Sequence, residues 1–280
     1  MRYVRTGNAA ILRPMRASLG GADWSRRSFV FGALGGMVAV PWSVSSFAQT
    51  PAISDVLSAA IANPARPDAD RKVDAARKPG ELLAFAGLKP GDKVLELVPG
   101  GGYLTRILSN AVGPQGHVYA LVFAEQVKAK ATAADAVKAI AADPAFPHVT
   151  VLVEPISNFT VPEPVDLVWT SQNYHDFHDK FFGPADIASF NKSVFAALKP
   201  GGIFVVTDHA AAAGTGTNDT ETLHRIEPSA ARAEIEAAGF VLAAQSDMLH
   251  NPDDDYTKRV FDPAIRGQTD KFVFKFRKPG

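Results

Sequence analysis

The run VLELVPGGGYLT, near the middle of the chain, constrains the fold more than any other segment. Its apolar start predicts a buried strand, and the acid Glu96 near the end of that strand is followed by Gly100, Gly101 and Gly102. Consecutive glycines allow a sharp turn and let a ligand approach the peptide groups closely. A helix from Tyr103 would point its free N–H groups at that ligand. This order predicts a nucleotide or cofactor site.

Strand and helix patterns alternate along the rest of the chain. Strands are predicted at 93–97, 117–123, 149–153, 165–170, 203–207, 240–244 and 271–277. Helices are predicted at 52–62, 68–85 with a break near Pro79, 103–112, 126–142, 185–197 and 229–238. This alternation predicts an α/β, Rossmann-like, doubly wound and mostly parallel seven-stranded sheet. Because no helix precedes the final strand, we expect an antiparallel last strand.

The first 48 residues have the layout of a twin-arginine signal peptide. Arg26 and Arg27 precede a mildly apolar, glycine-containing run, and the small residues at 45–48 suit cleavage. We therefore expect recognition by the export machinery and a periplasmic location. The apolar run is short for a membrane span, so we expect no stable membrane insertion of the mature chain. A short anchor that is never cleaved is the alternative.

Residues 49–280, which follow the predicted leader, are long enough for one folded domain. We predict an N-terminal helical cap over 49–87 and a ligand-binding domain over 88–280. The leader holds six arginines and one aspartate, which leaves 23 basic and 28 acidic residues after it. This acidic balance argues against nucleic acid as a partner. The absence of cysteine excludes disulfides, thiolate metal ligands and a cysteine nucleophile.

Three segments resemble the class I S-adenosylmethionine-dependent methyltransferases. Residues 96–102 resemble the cofactor loop, 165–170 the fourth-strand motif, and 198–206 the turn and fifth strand. The resemblance covers most of residues 70–277. It implies methyl transfer from S-adenosylmethionine to a small-molecule acceptor. Short motifs also resemble a group of predicted bacterial methyltransferases, at 173–176, 208–209, 223–225 and 266–272.

The resemblance implies cofactor contacts, and two positions depart from the family pattern. The expected contacts come from Glu96, Gly100, Gly101, Gly102, Tyr103 and Asn173. The family's usual first glycine aligns with Val98. The family places an acid at the end of the second strand for the ribose hydroxyls; residues 119–123 have none, and Glu125 is our candidate for this role. A missing acceptor weakens binding by about 2–4 kcal/mol, from about 1–2 per hydrogen bond.

Four of the seven histidines follow the predicted fourth and fifth strands, at 175, 178, 209 and 224. Ligands bind at the carboxyl ends of parallel strands, so we expect these side chains at one rim. A neutral imidazole is a suitable general base, and methyl transfer requires an aligned, deprotonated nucleophile. We predict His175 as the base and His209 as the second candidate. Asp176 or Asp208 would orient the imidazole.

Substrate contacts are predicted on the same rim. The candidates are Tyr174, His224, Arg225 and Arg266, with Asn173 as a further positioning group. The loop at 250–270 follows a strand and would act as a lid. Anion-binding candidates on the N-terminal helices are Arg66, Arg71 and Arg77.

Two other functions stay open. Residues 175–179 with Asp208 and His209 offer nitrogen and oxygen ligands for zinc, manganese or iron. Their spacing matches no recognised zinc motif, so we expect no metal. The other alternative is an exported, non-catalytic small-ligand-binding protein on the same scaffold, because S-adenosylmethionine is made in the cytosol.

Overall fold

The computed structural model describes residues 54–182 and 185–280. The predicted leader at 1–48 lies outside these residues. Among the helices of the described part, none combines the length and the apolar character needed to cross a membrane.

In the part of the chain that the structure describes, seven strands form one sheet. They are β1 (Lys93–Leu97), β2 (His117–Phe123), β3 (Val149–Glu154), β4 (Val165–Ser171), β5 (Leu198–His209), β6 (Val241–Ser246) and β7 (Lys271–Arg277). Their order across the sheet is β3-β2-β1-β4-β5-β7-β6. The first five strands pair in parallel, and β7 runs antiparallel to both β5 and β6. The predicted fold class is therefore confirmed, including the antiparallel last strand.

Helices connect the strands. The α-helices are α1 (Asp55–Ile61), α2 (Asp68–Arg71), α3 (Asp74–Arg77), α4 (Pro79–Ala86), α5 (Tyr103–Ala111), α6 (Ala124–Ala129), α7 (Asp135–Ala141), α8 (Ile187–Ala197), α9 (Thr220–Leu223) and α10 (Pro228–Ala237). Two 3₁₀ helices follow β4, at His175–His178 and Lys180–Phe182.

Apolar side chains cover both faces of the sheet. Successive strand residues point to opposite faces. Leu95 of β1 accordingly packs in a buried cluster with Phe190 of α8, whereas its neighbour Val94 packs with Leu83 of α4 and Ile107 of α5. Helices therefore lie on both faces, and the carboxyl ends of the parallel strands remain the exposed edge at which a ligand can bind.

Two predicted helices are broken in the structure. In the pattern at 68–85 the break predicted near Pro79 is confirmed, because Lys78 takes a left-handed conformation with φ of 47° between α3 and α4. The ring of Pro79 disfavours the α conformation for the residue before it. A second break, at Lys72 and Val73 between α2 and α3, was not predicted. The pattern at 126–142 becomes α6 and α7, separated at Lys130, where the backbone is extended.

Strand β5 begins earlier than predicted, at Leu198 instead of Ile203. The glycine turn expected before it is held as part of the strand by the C-terminal tail. Gly201 N–H donates to Lys278 O over 3.0 Å, and Lys278 N–H donates to Gly202 O over 2.9 Å. These bonds come from residues more than 70 positions away, so local pattern alone does not reveal them.

Candidate functional site

A cleft of about 420 Å³ opens at the carboxyl ends of β1 and β4. The glycine loop and the start of α5 form one side of the cleft, and the segment after β4 forms another. Residues from α2 to α4 and from the loop after β6 complete the wall. Its volume is within the range of small-molecule sites, and its position is the one that the strand-end rule predicts.

Gly100 and Gly101 border open space in this cleft. A Cβ atom at either position would meet no protein atom within 4 Å. Gly102 has a different role, because it begins α5 with φ of +78° and a Cβ there would overlap Ile140 Cδ1. The loop therefore exposes its backbone to a ligand, while its third glycine is required for packing.

Val98 keeps the backbone conformation that glycine favours. Its φ is +53°, which is an unusual value for a β-branched residue. Its N–H donates to Leu121 O over 3.0 Å, and Asn173 Nδ2 donates to Val98 O over 3.4 Å. Asn173 also lines the cleft. Val98 therefore gives the loop a left-handed start, although it stands where the resemblance implies a glycine.

Glu96 is a buried carboxylate at the floor of the cleft. Its Oε2 accepts a 2.6 Å hydrogen bond from Thr105 Oγ1. Burial raises the pKa of Glu96 to about 7, against the opposing effect of this hydrogen bond. A cation in the cleft would find a carboxylate beside it that ionises near neutral pH.

Tyr103 lines the cleft and is held by the N-terminal helices. Its hydroxyl donates to Asp74 Oδ1 over 2.6 Å, and the guanidinium of Arg77 lies 4.5 Å from its ring centroid. Asp74 also binds Arg66, which is almost fully buried. Of the three anion-binding candidates, only Arg77 reaches the cleft, because Arg66 binds Asp74 and Arg71 pairs with Asp68 at the surface.

His175 lies between two carboxylates at the rim. Its Nδ1 is 2.8 Å from Asp208 Oδ1, and its Nε2 is 3.0 Å from Asp176 Oδ1. Burial disfavours the charged ring, but the two carboxylates outweigh this effect and raise the pKa of His175 to about 10. The ring lines the cleft as predicted. Both ring nitrogens of His175 face carboxylates, and its role as general base stays a prediction.

His209 also lines the cleft, with its ring centroid 5.9 Å from that of His175. Its Nδ1 is 2.8 Å from Thr269 Oγ1, and its Nε2 has no hydrogen-bond partner among the described residues. Burial, together with the positive charges of Lys271, His175 and Arg225, holds the pKa of His209 well below its usual value. The ring therefore presents a neutral nitrogen at the rim.

The predicted substrate contacts do not reach the cleft. Tyr174 is buried, with its hydroxyl donating to Glu234 Oε2 and accepting from Asn191 Nδ2. The side chain of Arg225 is fully buried in an ion pair, Arg266 is exposed away from the cleft, and His224 packs behind His175. Tyr174 follows β4 but its side chain points into the core. His224 and Arg225 follow α9, and Arg266 lies in the loop before β7, so the strand-end rule does not apply to them directly.

Glu125 is also absent from the cleft wall. Its two carboxylate oxygens accept from the N–H of Ile156, over 3.3 Å at Oε1 and 3.1 Å at Oε2, which holds the side chain beside the residues that follow β3. No residue of β2 or α6 lines the cleft. Neither β2 nor Glu125 therefore supplies the cleft with the carboxylate that the resemblance implies for the ribose.

Several cleft residues were not identified from sequence. They are Asp70, Trp169, Gln172, Leu249, Val260 and Phe261. Trp169 and Gln172 lie at the end of β4, so the strand-end rule could have found them. Asp70 gave no sequence signal; it pairs with Arg106, which also donates to Gly101 O. Val260 and Phe261 belong to the loop expected to act as a lid, and Phe261 is 53% exposed.

Comparisons with known proteins relate this chain to methyltransferases. A family model described as protein-L-isoaspartate(D-aspartate) O-methyltransferase matches residues 62–153, which include the glycine loop. A protein-L-isoaspartate O-methyltransferase of Ignicoccus hospitalis is 30% identical over 125 residues, covering 45% of this chain and 51% of that protein. The chain thus spans about half the length of this curated relative.

Two solved structures share the fold. A SAM-dependent methyltransferase from Aquifex aeolicus has a TM-score of 0.52 at 18% identity, covering 76% of this chain and 98% of that chain. The (4+2)-cyclase SpnF has a TM-score of 0.50 at 17% identity, covering 75% of this chain and 81% of that chain. At such identities the likeness shows the fold alone, and one fold hosts several chemistries.

Proposed function

We propose that this chain, which has the fold of the class I S-adenosylmethionine-dependent methyltransferases, transfers a methyl group from S-adenosylmethionine to a small-molecule acceptor. The main support is the glycine loop, whose Gly100 and Gly101 border open space at the start of α5. Backbone groups at such a loop are suited to bind a polar ligand. The methyltransferase family model covers this loop, and the curated relative is a methyltransferase as well.

The donor side of the cleft suits this molecule in charge. S-adenosylmethionine supplies an electrophilic methyl group on a positively charged sulfonium, and Glu96 offers a carboxylate at the floor of the cleft. Gly100, Gly101, Tyr103 and Asn173 would contact the donor from the loop and the β4 end. No carboxylate from β2 reaches the cleft. We therefore expect the affinity for S-adenosylmethionine to be weaker than that of a site with this carboxylate by about 2–4 kcal/mol, or about 30-fold or more.

The acceptor side combines an apolar wall with polar groups. Trp169, Val260 and Phe261 supply the apolar surface. His209, held by Thr269 at Nδ1, would bond the polar group of the acceptor through Nε2, and Asp176 lies on the same rim. This arrangement favours a small acceptor with an apolar body and a hydroxyl or amine, aligned for displacement.

Calorimetry with S-adenosylmethionine and S-adenosylhomocysteine tests the donor site. We expect one molecule to bind per chain, and Gly101→Val to weaken binding at least tenfold because its side chain would enter the open cleft. The same variant should unfold at the wild-type temperature, since a Cβ at this position meets no protein atom within 4 Å. Absence of binding at millimolar ligand would exclude the proposed function.

Catalysis is tested separately from binding, because SpnF shows that this fold need not imply methyl transfer. The protein is incubated with S-adenosylmethionine and a small-molecule extract, and S-adenosylhomocysteine is measured. Turnover that His209→Asn reduces at least tenfold supports the enzyme. Donor binding without turnover would favour the non-catalytic binding protein.

We also propose export by the twin-arginine route, on the basis of Arg26, Arg27 and the run that follows them. Replacing both arginines with lysine keeps the charge but should leave the protein in the cytoplasm. Fractionation of cells that express the wild type or the variant measures how much of each protein lies in the periplasm and in the cytoplasm. Equal amounts in the periplasm would contradict the proposal.

A further inference from the structure

Four side chains meet beside the cleft: His175, Asp176, Asp179 and His224. We infer that this cluster binds one divalent first-row metal ion of the Zn²⁺ type. His175 Nε2 lies 3.0 Å from Asp176 Oδ1, and His224 Nδ1 lies 3.5 Å from the same oxygen. Asp179 Oδ2 is 3.8 Å from His224 Nδ1. Ligands at about 2.0–2.2 Å from a single ion lie about 3–3.5 Å apart. His175, Asp176 and His224 offer ligand atoms that all lie within 4.8 Å of one another, and Asp179 must turn toward the ion to complete the set.

Two atoms of the cluster are buried without a hydrogen-bond partner among the described residues. They are His224 Nδ1 and Asp179 Oδ1. The side chain of Asp179 is only 8% exposed. Buried polar atoms are almost always bonded, so two unpartnered atoms in one cluster call for a missing ligand. A cation bound here would interact with both.

Asp208 orients the first ligand. Its Oδ1 lies 2.8 Å from His175 Nδ1, and its Oδ2 accepts from His175 N–H over 2.7 Å. Asp208 is fully buried. A carboxylate bonded to one imidazole nitrogen fixes the ring so that the other nitrogen can bind a metal. In His175 that other nitrogen is Nε2, which faces the cluster.

The donor set favours a transition metal over Mg²⁺ or Ca²⁺. Two imidazoles and two carboxylates suit Zn²⁺, Fe²⁺ or Mn²⁺, whereas Mg²⁺ and Ca²⁺ prefer sites made of oxygen. Residues 175–179 with Asp208 and His209 have no recognised metal-binding spacing in sequence. That set does not include His224, which follows α9 in a separate segment of the chain.

Arg259 opposes metal binding in a way that can be tested. Its Nη2 lies 2.7 Å from His224 Nε2 and can only donate there, so the ring proton is left on Nδ1. A metal at Nδ1 moves that proton to Nε2, and the exposed Arg259 side chain must then move away. In Arg259→Gln the amide oxygen can accept from Nε2–H. This variant should therefore bind the metal more tightly.

The test uses the full chain without a histidine tag, treated with EDTA and titrated with ZnCl₂ in a calorimeter. We expect one Zn²⁺ per chain, at least tenfold weaker binding in His224→Ala and Asp179→Asn, and tighter binding in Arg259→Gln. His178→Ala is the control, because His178 lies on the same 3₁₀ helix but contacts Glu234. Its Zn²⁺ affinity should equal that of the wild type.

Thermal unfolding shows whether each variant is folded. If His224→Ala or Asp179→Asn does not fold, Arg259→Gln decides the question, since its affinity should rise. The inference is overturned if the wild type binds no stoichiometric Zn²⁺, or if His178→Ala weakens binding as much as His224→Ala does. Unchanged affinity in folded Arg259→Gln would also contradict it.

Discussion

The carboxylate of Glu96 accepts a 2.6 Å hydrogen bond from Thr105 Oγ1, which joins β1 to the first turn of α5 beneath the cleft. Both residues are buried. Burial raises the pKa of Glu96 to about 7, from an ordinary value of 4.5. A raised carboxyl pKa means that the folded protein holds a proton that the unfolded chain has already released.

The free energy of unfolding should therefore fall as pH rises. From pH 5 to pH 8 the contribution of Glu96 falls by about 2.5 kcal/mol, at about 1.4 kcal/mol for each unit of pKa difference. Glu96→Gln should reduce the measured fall by about 2.5 kcal/mol in urea unfolding at both pH values, while the fall that His175 contributes through its raised pKa should remain. The control is Asp253→Asn, which changes an exposed carboxyl group. A pH slope that Glu96→Gln leaves intact would contradict the prediction.

Val98 should be less favourable than glycine because of its left-handed backbone. Alanine and glycine both remove the valine side chain, but only glycine adopts φ of +53° without strain. Val98→Gly should therefore be more stable than Val98→Ala by about 1 kcal/mol. Urea unfolding of the two variants measures the difference. Equal stability would show that the packing of Val98, and not its backbone, determines the effect.

Trp169 should report on ligand binding. It lines the cleft, and its Nε1 is buried without a hydrogen-bond partner in the described part of the chain. The other two tryptophans, Trp24 and Trp42, lie in the predicted leader. Titration with S-adenosylmethionine should change the fluorescence emission, and Trp169→Phe should abolish that change. A signal that persists in Trp169→Phe would mean that the ligand binds elsewhere.

The ion pair of Arg225 and Asp254 should be essential for stability. The two side chains are 0% and 1% exposed, and their shortest N–O distance is 2.7 Å. Asp254→Asn leaves the buried guanidinium without its counter-charge, which should cost about 3–5 kcal/mol. The control is Glu236→Gln, which breaks the exposed Arg232–Glu236 pair and should cost less than about 0.5 kcal/mol. Urea unfolding distinguishes the two, and similar costs would contradict the prediction.

The fold could be predicted from sequence because its signals are local. Apolar runs such as 117–123 mark strands, and glycines mark the turn before α5. The rule that ligands bind at strand ends then located the cleft. Helix boundaries were less accurate where one residue changes the backbone, as Lys130 does between α6 and α7.

The site was predicted only in part because side-chain direction depends on distant partners. Tyr174 points inward to Glu234, and Arg225 to Asp254. Glu125 is held by a backbone N–H of another strand end. None of these partners lies near its residue in sequence, so the sequence did not reveal that these side chains lie outside the cleft wall. Gly100 and Gly101 were placed correctly since backbone exposure follows from the loop itself.

The position of β7 sets the order in which the sheet can be completed. Among the described strands, β6 pairs only with β7, and β7 is the last element of the chain. During synthesis β6 therefore emerges before the strand that must separate it from β5. Until residues 271–277 are synthesised, β5 and β6 both have open edges that can pair wrongly with other chains. A chain truncated before residue 271 would lack the strand that joins β6 to β5, so its sheet would be incomplete and prone to aggregation.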